Sequence, residues 1–373
     1  MVGTDKKVQN KYYSLKGILS KKAQYNIIIG ERSNGKTFAC IKYALEKFCK
    51  TGKQVAILRR WQTDLKGARA SSLFSALESP VNYVEKLTGG EYTHIHYYGS
   101  RWYLAVQDEK TKAWKYDKAR PFAFKFTLSE MEHDKSTSYP DVTTIIFDEF
   151  LTRTMYLPDE FILFQNCLST IIRQRKDVTI FMLGNTVNKY CPYFAEMGLK
   201  NVTKMKQGTI DVYNYGDSGL KVALEFCSSI GTSKESNVYF AFNNPHLQMI
   251  KTGEWELDLY PHLPVKYKNN EILFTYFIVF NDEILQAEIV QHEQSCFTYI
   301  HRKTTPIQNP DLDIIYSLEA SHKPNYYVDI TNPRDKLSGK ITKFFQSFKV
   351  FYQDNEVGEI VRNYAFECQN VNM

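Results

Sequence analysis

The chain has 373 residues, enough for two domains, since single domains usually span about 100–200 residues. A hydrophobic fraction of 43% and a charged fraction of 24% are ordinary for a globular protein and argue against long disordered stretches. The net charge of +6 is uneven, because residues 1–70 contain 16 Lys and Arg against 4 Asp and Glu. Such a basic block can attract phosphate, although a solvated helix face has the same composition.

The cysteines and the apolar runs predict the compartment in which the protein is found. Seven scattered cysteines without a C-x-x-C pair are typical of free thiols in a reducing compartment. We recognise no secretory signal and no apolar run near the roughly 20 residues of a membrane span. We therefore expect an intracellular, soluble protein that has no contact with a membrane.

The first half of the chain alternates strand-like and helical segments, which predicts an α/β domain with a mostly parallel sheet. Residues 91–128 interrupt this pattern with alternating aromatic residues, which predicts a hairpin and an added strand. The predicted parallel strands are residues 25–29, 54–58, 143–147 and 178–183. The predicted helices are residues 37–50 and a stretch after Pro158.

The pattern changes beyond about residue 200. Glycine-containing and polar runs in residues 206–235 predict a linker or a small connecting subdomain between two domains. Several β segments and a helical segment near residues 338–351 predict a second α/β domain. The predicted domains are therefore 1–205 and 236–373.

Residues 30–37, GERSNGKT, fit the phosphate-binding pattern G-x-x-x-x-G-K-[ST] between a predicted strand and a predicted helix. The glycines let backbone N–H groups converge on one anion at the helix N-terminus. Lys36 would neutralise the β- and γ-phosphates of ATP, and the Thr37 hydroxyl would bind Mg²⁺. A glycine turn that caps an ordinary helix is the alternative. The predicted nucleotide-binding residues are Gly30, Arg32, Ser33, Asn34, Gly35, Lys36 and Thr37.

The apolar run TTIIF ends in Asp148 and Glu149, at the carboxyl end of a predicted central strand. Ligands of α/β sheets bind at that end. Asp148 would hold Mg²⁺, and Glu149 would orient or deprotonate the water that attacks the γ-phosphate. Acidic residues also end strands simply because the following loop is solvated, but the P-loop favours the catalytic interpretation.

Three further residues are candidates. Asn185 ends the next strand, where it could sense the γ-phosphate or form a turn beside Gly184. Arg173 and Arg175 follow the helix after Glu149, and either could stabilise transition-state charge on a neighbouring subunit's nucleotide as an arginine finger. Both could equally be ordinary exposed arginines.

With these motifs, the chain resembles the DNA packaging ATPases, or encapsidation proteins, of small phi29-type tailed phages. The segments that carry the resemblance are GERSNGKTFA, ILRRWQTDL, DKSTSYPDVTTIIFDEF, IIRQRKDVTIFMLGNTVNKYCPYF and VRNYAFE. They cover much of residues 25–195. The resemblance implies a P-loop ATPase domain of the ASCE/RecA-like type, then a smaller RNase H-like domain that has lost its metal-binding acids. In agreement, residues 272–280 contain no Asp or Glu.

The resemblance also implies roles and partners. Arg173 matches the family's trans-acting arginine, and Lys135 matches a lysine implicated in catalysis or nucleotide exchange between subunits. Such motors form a homomeric ring, usually a pentamer, on the capsid portal, with a structural RNA in the best-known members. We expect the protein in the host cytoplasm and, transiently, at the portal vertex of the procapsid.

The predicted function is therefore an ATP- and Mg²⁺-dependent motor for double-stranded DNA. A motor must move any sequence, so its contacts should be with DNA phosphates. The first candidates for those contacts are Arg59, Arg60, Lys66 and Arg69. Two alternatives remain: a helicase or recombination ATPase that acts on single strands, and a nucleotide-dependent portal-binding switch without turnover.

Overall fold

A computed structural model describes residues 12–133, 137–153, 156–228, 255, 260–319 and 321–371. The chain forms two compact units, Met1–Glu256 and Leu257–Met373. Within the described ranges, no helix has the length and apolar character needed to cross a bilayer.

The first unit is built on one large sheet with short and long helices around it. Its strands are β1 (Tyr25–Gly30), β2 (Gln54–Arg59), β3 (His94–Tyr98), β4 (Arg101–Gln107), β5 (Trp114–Tyr116), β6 (Ala123–Thr127), β7 (Val142–Asp148), β8 (Thr179–Asn185), β9 (Thr209–Tyr215) and β10 (Leu220–Phe226). Its helices are α1 (Lys16–Leu19), α2 (Lys36–Thr51), α3 (Ala68–Ser71), α4 (Tyr83–Thr88), α5 (Glu160–Ile172) and α6 (Pro192–Glu196).

The centre of this sheet is parallel, as the sequence predicts. The strand order is β3-β4-β6-β2-β7-β8-β1-β10-β9, and β5 pairs with β4. Strands β6, β2, β7, β8, β1 and β10 all run in the same direction. The glycine-rich loop after β1 and the acidic end of β7 therefore lie at the same edge, separated by β8. Strands β3 and β4 form the predicted hairpin.

Side chains of successive strand residues point to opposite faces, so the sheet has an apolar core on each face. Ile27 and Ile29 of β1 belong to the core that α5 covers, with Phe164 from the helix. Ile28 belongs to the core that α2 covers, with Ile41 from the helix. The nearly unbroken apolar runs of β1, β7 and β8 are explained by this burial on both faces.

The predicted linker is wrong for residues 209–226, which form β9 and β10. Strand β10 pairs in parallel with β1, from Tyr25 with Val222 to Ile29 with Phe226, and β9 pairs antiparallel with β10. The polar sequence of these residues did not indicate a strand, because β9 lies at the edge of the sheet and has no fully buried residue. Residues 229–235 of the predicted linker lie outside the described residues.

Within its described residues, the second unit has a six-stranded sheet and two helices. Its strands are β11 (Ile272–Phe280), β12 (Glu283–His292), β13 (Ser295–Arg302), β14 (Ile314–Ser317), β15 (Tyr326–Tyr327) and β16 (Val350–Tyr352). The helices are α7 (Lys336–Gln346) and α8 (Asn355–Val371). The order is β15-β14-β11-β12-β13-β16, with an antiparallel meander of β11, β12 and β13 and with β14 parallel to β11. This is the topology of an RNase H-type sheet, as the resemblance implies. The predicted helix near residues 338–351 is α7, which ends at Gln346.

Candidate active site

The loop between β1 and α2 has the conformation that its glycine pattern requires. Gly35, immediately before α2, has a φ of 92°, and Ser33 has a φ of 60°. Both values lie in the left-handed region, where a residue without a Cβ is favoured. The loop borders a cleft of about 280 Å³ at the carboxyl ends of the parallel strands, which Asp148, Glu149 and Asn185 also line.

Lys36 begins α2 and lies almost buried in this loop. Its ammonium group donates to the carbonyl oxygen of Glu31 at 2.7 Å, to that of Gly30 at 3.3 Å and to Asn185 Oδ1 at 3.3 Å. Burial lowers the pKa of the Lys36 ammonium, because the charged form loses hydration. A bound anion would stabilise this charge. The two residues predicted to sense phosphates, Lys36 and Asn185, are therefore in contact.

Thr37 and Asp148 meet across the cleft floor. The Thr37 hydroxyl lies 3.2 Å from Asp148 Oδ2 and 3.3 Å from Oδ1, and Asp148 is only 8% exposed. Hydroxyl and carboxylate oxygens are ligands that Mg²⁺ prefers, usually with waters and phosphate oxygens completing its shell. The pair therefore fits the predicted magnesium site.

Glu149 follows Asp148 in a strained backbone conformation, with a φ of 61°. Its carboxylate forms an ion pair with Arg59 Nη1 at 2.6 Å, and Arg59 Nη2 forms a second ion pair with Asp148 Oδ2 at 2.8 Å. Arg59 thus bridges both acids, and its side chain is 13% exposed. The prediction that Arg59 contacts DNA is wrong, since its guanidinium belongs to the candidate active site.

Arg60 is also incorrectly predicted to contact DNA. It is 6% exposed and forms a buried ion pair with Glu160 at 2.7 Å. Consecutive residues at a strand end point to opposite faces, so Arg59 reaches the cleft while Arg60 reaches the start of α5. Lys66 and Arg69 are exposed and stay predictions. Arg69 lies 3.9 Å from Asp64.

The two arginines after α5 lie at the opposite edge of the sheet from the cleft. Arg173 is exposed and donates to the carbonyl oxygen of Thr137 at 3.3 Å. Arg175 donates to the carbonyl oxygens of Tyr139 and Pro140, both at 3.1 Å, just before β7 begins. The Arg175 guanidinium thus binds the backbone that precedes β7, whereas the side chain of Arg173 is exposed at the surface. Lys135 lies outside the described residues.

Sequence reasoning missed two parts of this site. One is the bridge from Arg59 to Asp148 and Glu149, and the other is the buried carboxylate of Glu160. The signal for both was the pair of arginines at the end of the apolar strand β2, at the edge of the sheet where the two acids were already expected.

Comparisons with known proteins agree with the fold and with the motif. The family model "Podovirus DNA encapsidation protein (Gp16)" matches residues 5–237. The DNA packaging protein of Bacillus phage PZA is 24% identical over 366 residues, which cover 95% of this chain and 96% of the relative. The DNA packaging protein of Bacillus phage phi29 is 30% identical over 186 residues, or 49% of each chain.

Two solved structures share the fold across nearly the whole chain. The bacteriophage Phi-29 viral genome packaging motor assembly has a TM-score of 0.56 at 21% identity, and the Phi-28 gp11 DNA packaging motor has a TM-score of 0.53 at 18% identity. Each match covers 96% of this chain and 99% of the other. Because the family model matches well over half of the chain, a range that includes the P-loop, Asp148 and Glu149, the protein belongs to the podovirus DNA encapsidation protein family.

Proposed function

We propose that the protein is an ATP-driven motor that moves double-stranded DNA into a viral procapsid through the portal, hydrolysing ATP at the subunit interfaces of a homomeric ring. The observation that carries this proposal is the convergence of Lys36, Thr37, Asp148, Glu149 and Asn185 on one cleft. The names of the relatives, DNA packaging proteins and genome packaging motors, support the assignment of DNA as the cargo.

Each residue in the cleft has a distinct task in hydrolysis. The backbone N–H groups of the loop and the Lys36 ammonium bind the phosphates of ATP. Thr37 and Asp148 would hold Mg²⁺, which when bound neutralises charge on the phosphate oxygens. Glu149 orients the attacking water and accepts its proton, and its exposed carboxylate faces the cleft for that purpose. Asn185, in contact with Lys36, is placed to sense the γ-phosphate.

The position of Arg173 supports hydrolysis between subunits. Helix α5 has 13 residues, or about 20 Å, and it runs from the cleft edge of the sheet to the opposite edge. Arg173 caps its far end, so it lies about one strand length from its own P-loop. We propose that it reaches the nucleotide of a neighbouring subunit. Thr137, its hydrogen-bond partner, is two residues from Lys135, for which we propose a role in the same interface.

Lys66 and Arg69 are the remaining candidates for contact with DNA phosphates, since both are exposed. From the family resemblance, we also propose that this chain assembles into a ring of five subunits and binds a portal protein and a structural RNA. We also propose that the second unit has no nuclease activity, because its first strand carries no acid that could bind a metal ion.

The proposal is tested by ATPase activity with and without duplex DNA. Wild type should hydrolyse ATP faster with duplex than with single-stranded DNA, and Lys36→Ala and Arg173→Ala should each be inactive. Mixing the two inactive variants should restore part of the activity, because Lys36→Ala subunits still supply Arg173 to an intact neighbouring site. Stimulation by single strands alone would favour the helicase alternative. Retention of ATP without turnover would favour the binding switch.

A further inference from the structure

Arg60 and Glu160 form a buried ion pair that the proposed chemistry does not use. Arg60 Nε donates to Glu160 Oε2 at 2.7 Å, and Arg60 Nη2 donates to Oε1 at 2.9 Å. The same carboxylate accepts from the Tyr193 hydroxyl at 2.8 Å and from the Leu157 N–H at 2.7 Å. A buried ion pair is often no more stabilising than a well-packed apolar pair. Stability alone therefore does not explain it.

The guanidinium of Arg60 also contacts the backbone directly after the candidate catalytic acid. Nη2 donates to the carbonyl oxygen of Phe150 at 2.6 Å, and Nη1 donates to that of Glu149 at 3.4 Å. The N–H of Phe150 donates to the carbonyl oxygen of Leu183 in β8 at 3.2 Å. The peptide group between Glu149 and Phe150 is thus held on one side by Arg60 and on the other by the sheet.

This support matters because Glu149 itself is strained. A φ of 61° is unfavourable for a residue with a side chain and persists only where the surroundings impose it. The Glu149 side chain is 65% exposed, so packing does not fix its direction. Its carboxylate is therefore aimed mainly by its backbone, together with the contact from Arg59.

We propose that Arg60 is a positioning residue for Glu149, which holds the strained turn after β7 through two carbonyl oxygens while Glu160 fixes the guanidinium. This inference rests on the proposed catalytic role of Glu149. Glu160 is the first residue of α5, so the catalytic turn is anchored to the start of that helix. The two adjacent arginines thus have different roles. Arg59 contacts the carboxylates of the two acids, and Arg60 contacts the main-chain carbonyl oxygens of the turn after β7.

The first test is Arg60→Lys in the full-length protein with duplex DNA. A lysine ammonium cannot replace the planar fork that reaches both the carboxylate and the carbonyl oxygens. We expect kcat for ATP hydrolysis to fall about 10-fold or more, because small displacements of catalytic groups are costly. The KM for ATP should change less than about 3-fold, since the P-loop is untouched. Arg101→Lys, a surface change on β4 outside the cleft, is the control and should keep both values.

A second test separates positioning from stability. Arg60→Met leaves the Glu160 charge buried without its partner, which should lower the unfolding temperature. The double variant Arg60→Met/Glu160→Gln removes both charges, keeps one acceptor oxygen for the Leu157 N–H, and lets the amide NH2 donate to the Tyr193 hydroxyl oxygen. Much of the lost unfolding temperature should therefore be recovered. If Arg60 positions Glu149, kcat stays low in the double variant despite the recovered stability. If kcat recovers together with the unfolding temperature, the pair is only structural and the inference is wrong.

The outcomes also distinguish this inference from the proposed function. Wild type must hydrolyse ATP and Glu149→Gln must not, and a wild type without turnover would contradict both ideas. Turnover by wild type, together with a kcat of Arg60→Lys within about 2-fold of it, would contradict only the role of Arg60.

Discussion

The two units of the molecule bury charged side chains in different ways. In the first unit, Lys36 and Asp148 are 6% and 8% exposed, and both border an open cleft. In the second unit, the buried carboxylate of Glu288 accepts from Tyr267 at 2.5 Å and from Gln286 at 2.6 Å, with His301 Nε2 at 3.3 Å. The charges of the first arrangement border an open cleft, where a ligand can replace their internal partners, whereas the charge of the second is paired on the surface of its sheet.

This difference follows from strand direction. Parallel strands bring their carboxyl ends to one edge, where loops diverge and leave a crevice lined by polar residues. In the second unit the strands β11, β12 and β13 alternate in direction, so Glu288, His301 and Gln286 meet on the surface of the sheet instead. A buried charge therefore indicates a ligand site where it also borders a cleft.

The largest expected effect comes from neutralising Glu149 in the first unit, with the neutralisation of Glu288 in the second unit for comparison. Glu149→Gln should lower ATP turnover at least about 10²-fold, because it removes the base that accepts the proton of water. Nucleotide affinity, measured with a fluorescent ATP analogue, should stay within about 3-fold of wild type. Glu288→Gln is the matched control in the second unit and should keep turnover. Equal loss in both variants would contradict the contrast between the units.

Adding a methyl group to a closely packed glycine should destabilise the second unit without changing ATP hydrolysis in the first. A Cβ on Gly358 of α8 would lie 2.2 Å from Tyr260 Cγ, so Gly358→Ala should destabilise that unit by about 1–3 kcal/mol. Gly339→Ala in α7 is the control, because the nearest atom is 3.8 Å away and alanine favours a helix. Thermal unfolding measures both. A similar change in the two variants would contradict the close packing at Gly358.

The smallest effect concerns pH. The hydrogen bond that His301 donates to Glu288 raises the pKa of His301 above its ordinary value of 6.5 and lowers the pKa of Glu288 below 4.5. The histidine contribution to stability is complete below 6.5 and is lost as pH rises through the raised pKa. The glutamate contribution is present above 4.5 and is lost as pH falls through the lowered pKa. His301→Gln should therefore destabilise the protein more at about pH 5.5 than at about pH 8.5 in thermal unfolding. An equal effect at both values would contradict a charged pair.

The sequence predicted what depends on local pattern. The P-loop lies between β1 and α2, and Asp148 ends β7, because short motifs and apolar runs carry that information along the chain. Strands β9 and β10 were missed because their place in the sheet depends on a non-local pairing with β1, not on their own polar composition. The roles of Arg59 and Arg60 were missed because charge alone does not show which face of a strand end a side chain takes. One extends into the cleft and the other into the core.

Helix α5 has a consequence for symmetry. It separates Arg173 from the cleft of its own subunit by about the length of a strand. A subunit that uses a neighbour's arginine therefore has two different contact surfaces, one that supplies the arginine and one that receives it. A two-fold dimer pairs identical surfaces and could not join these two. Under the proposed role of Arg173, only a head-to-tail arrangement that closes by rotation serves every nucleotide. In such a ring a Lys36→Ala subunit would lose its own site, whereas an Arg173→Ala subunit would impair the site of its neighbour.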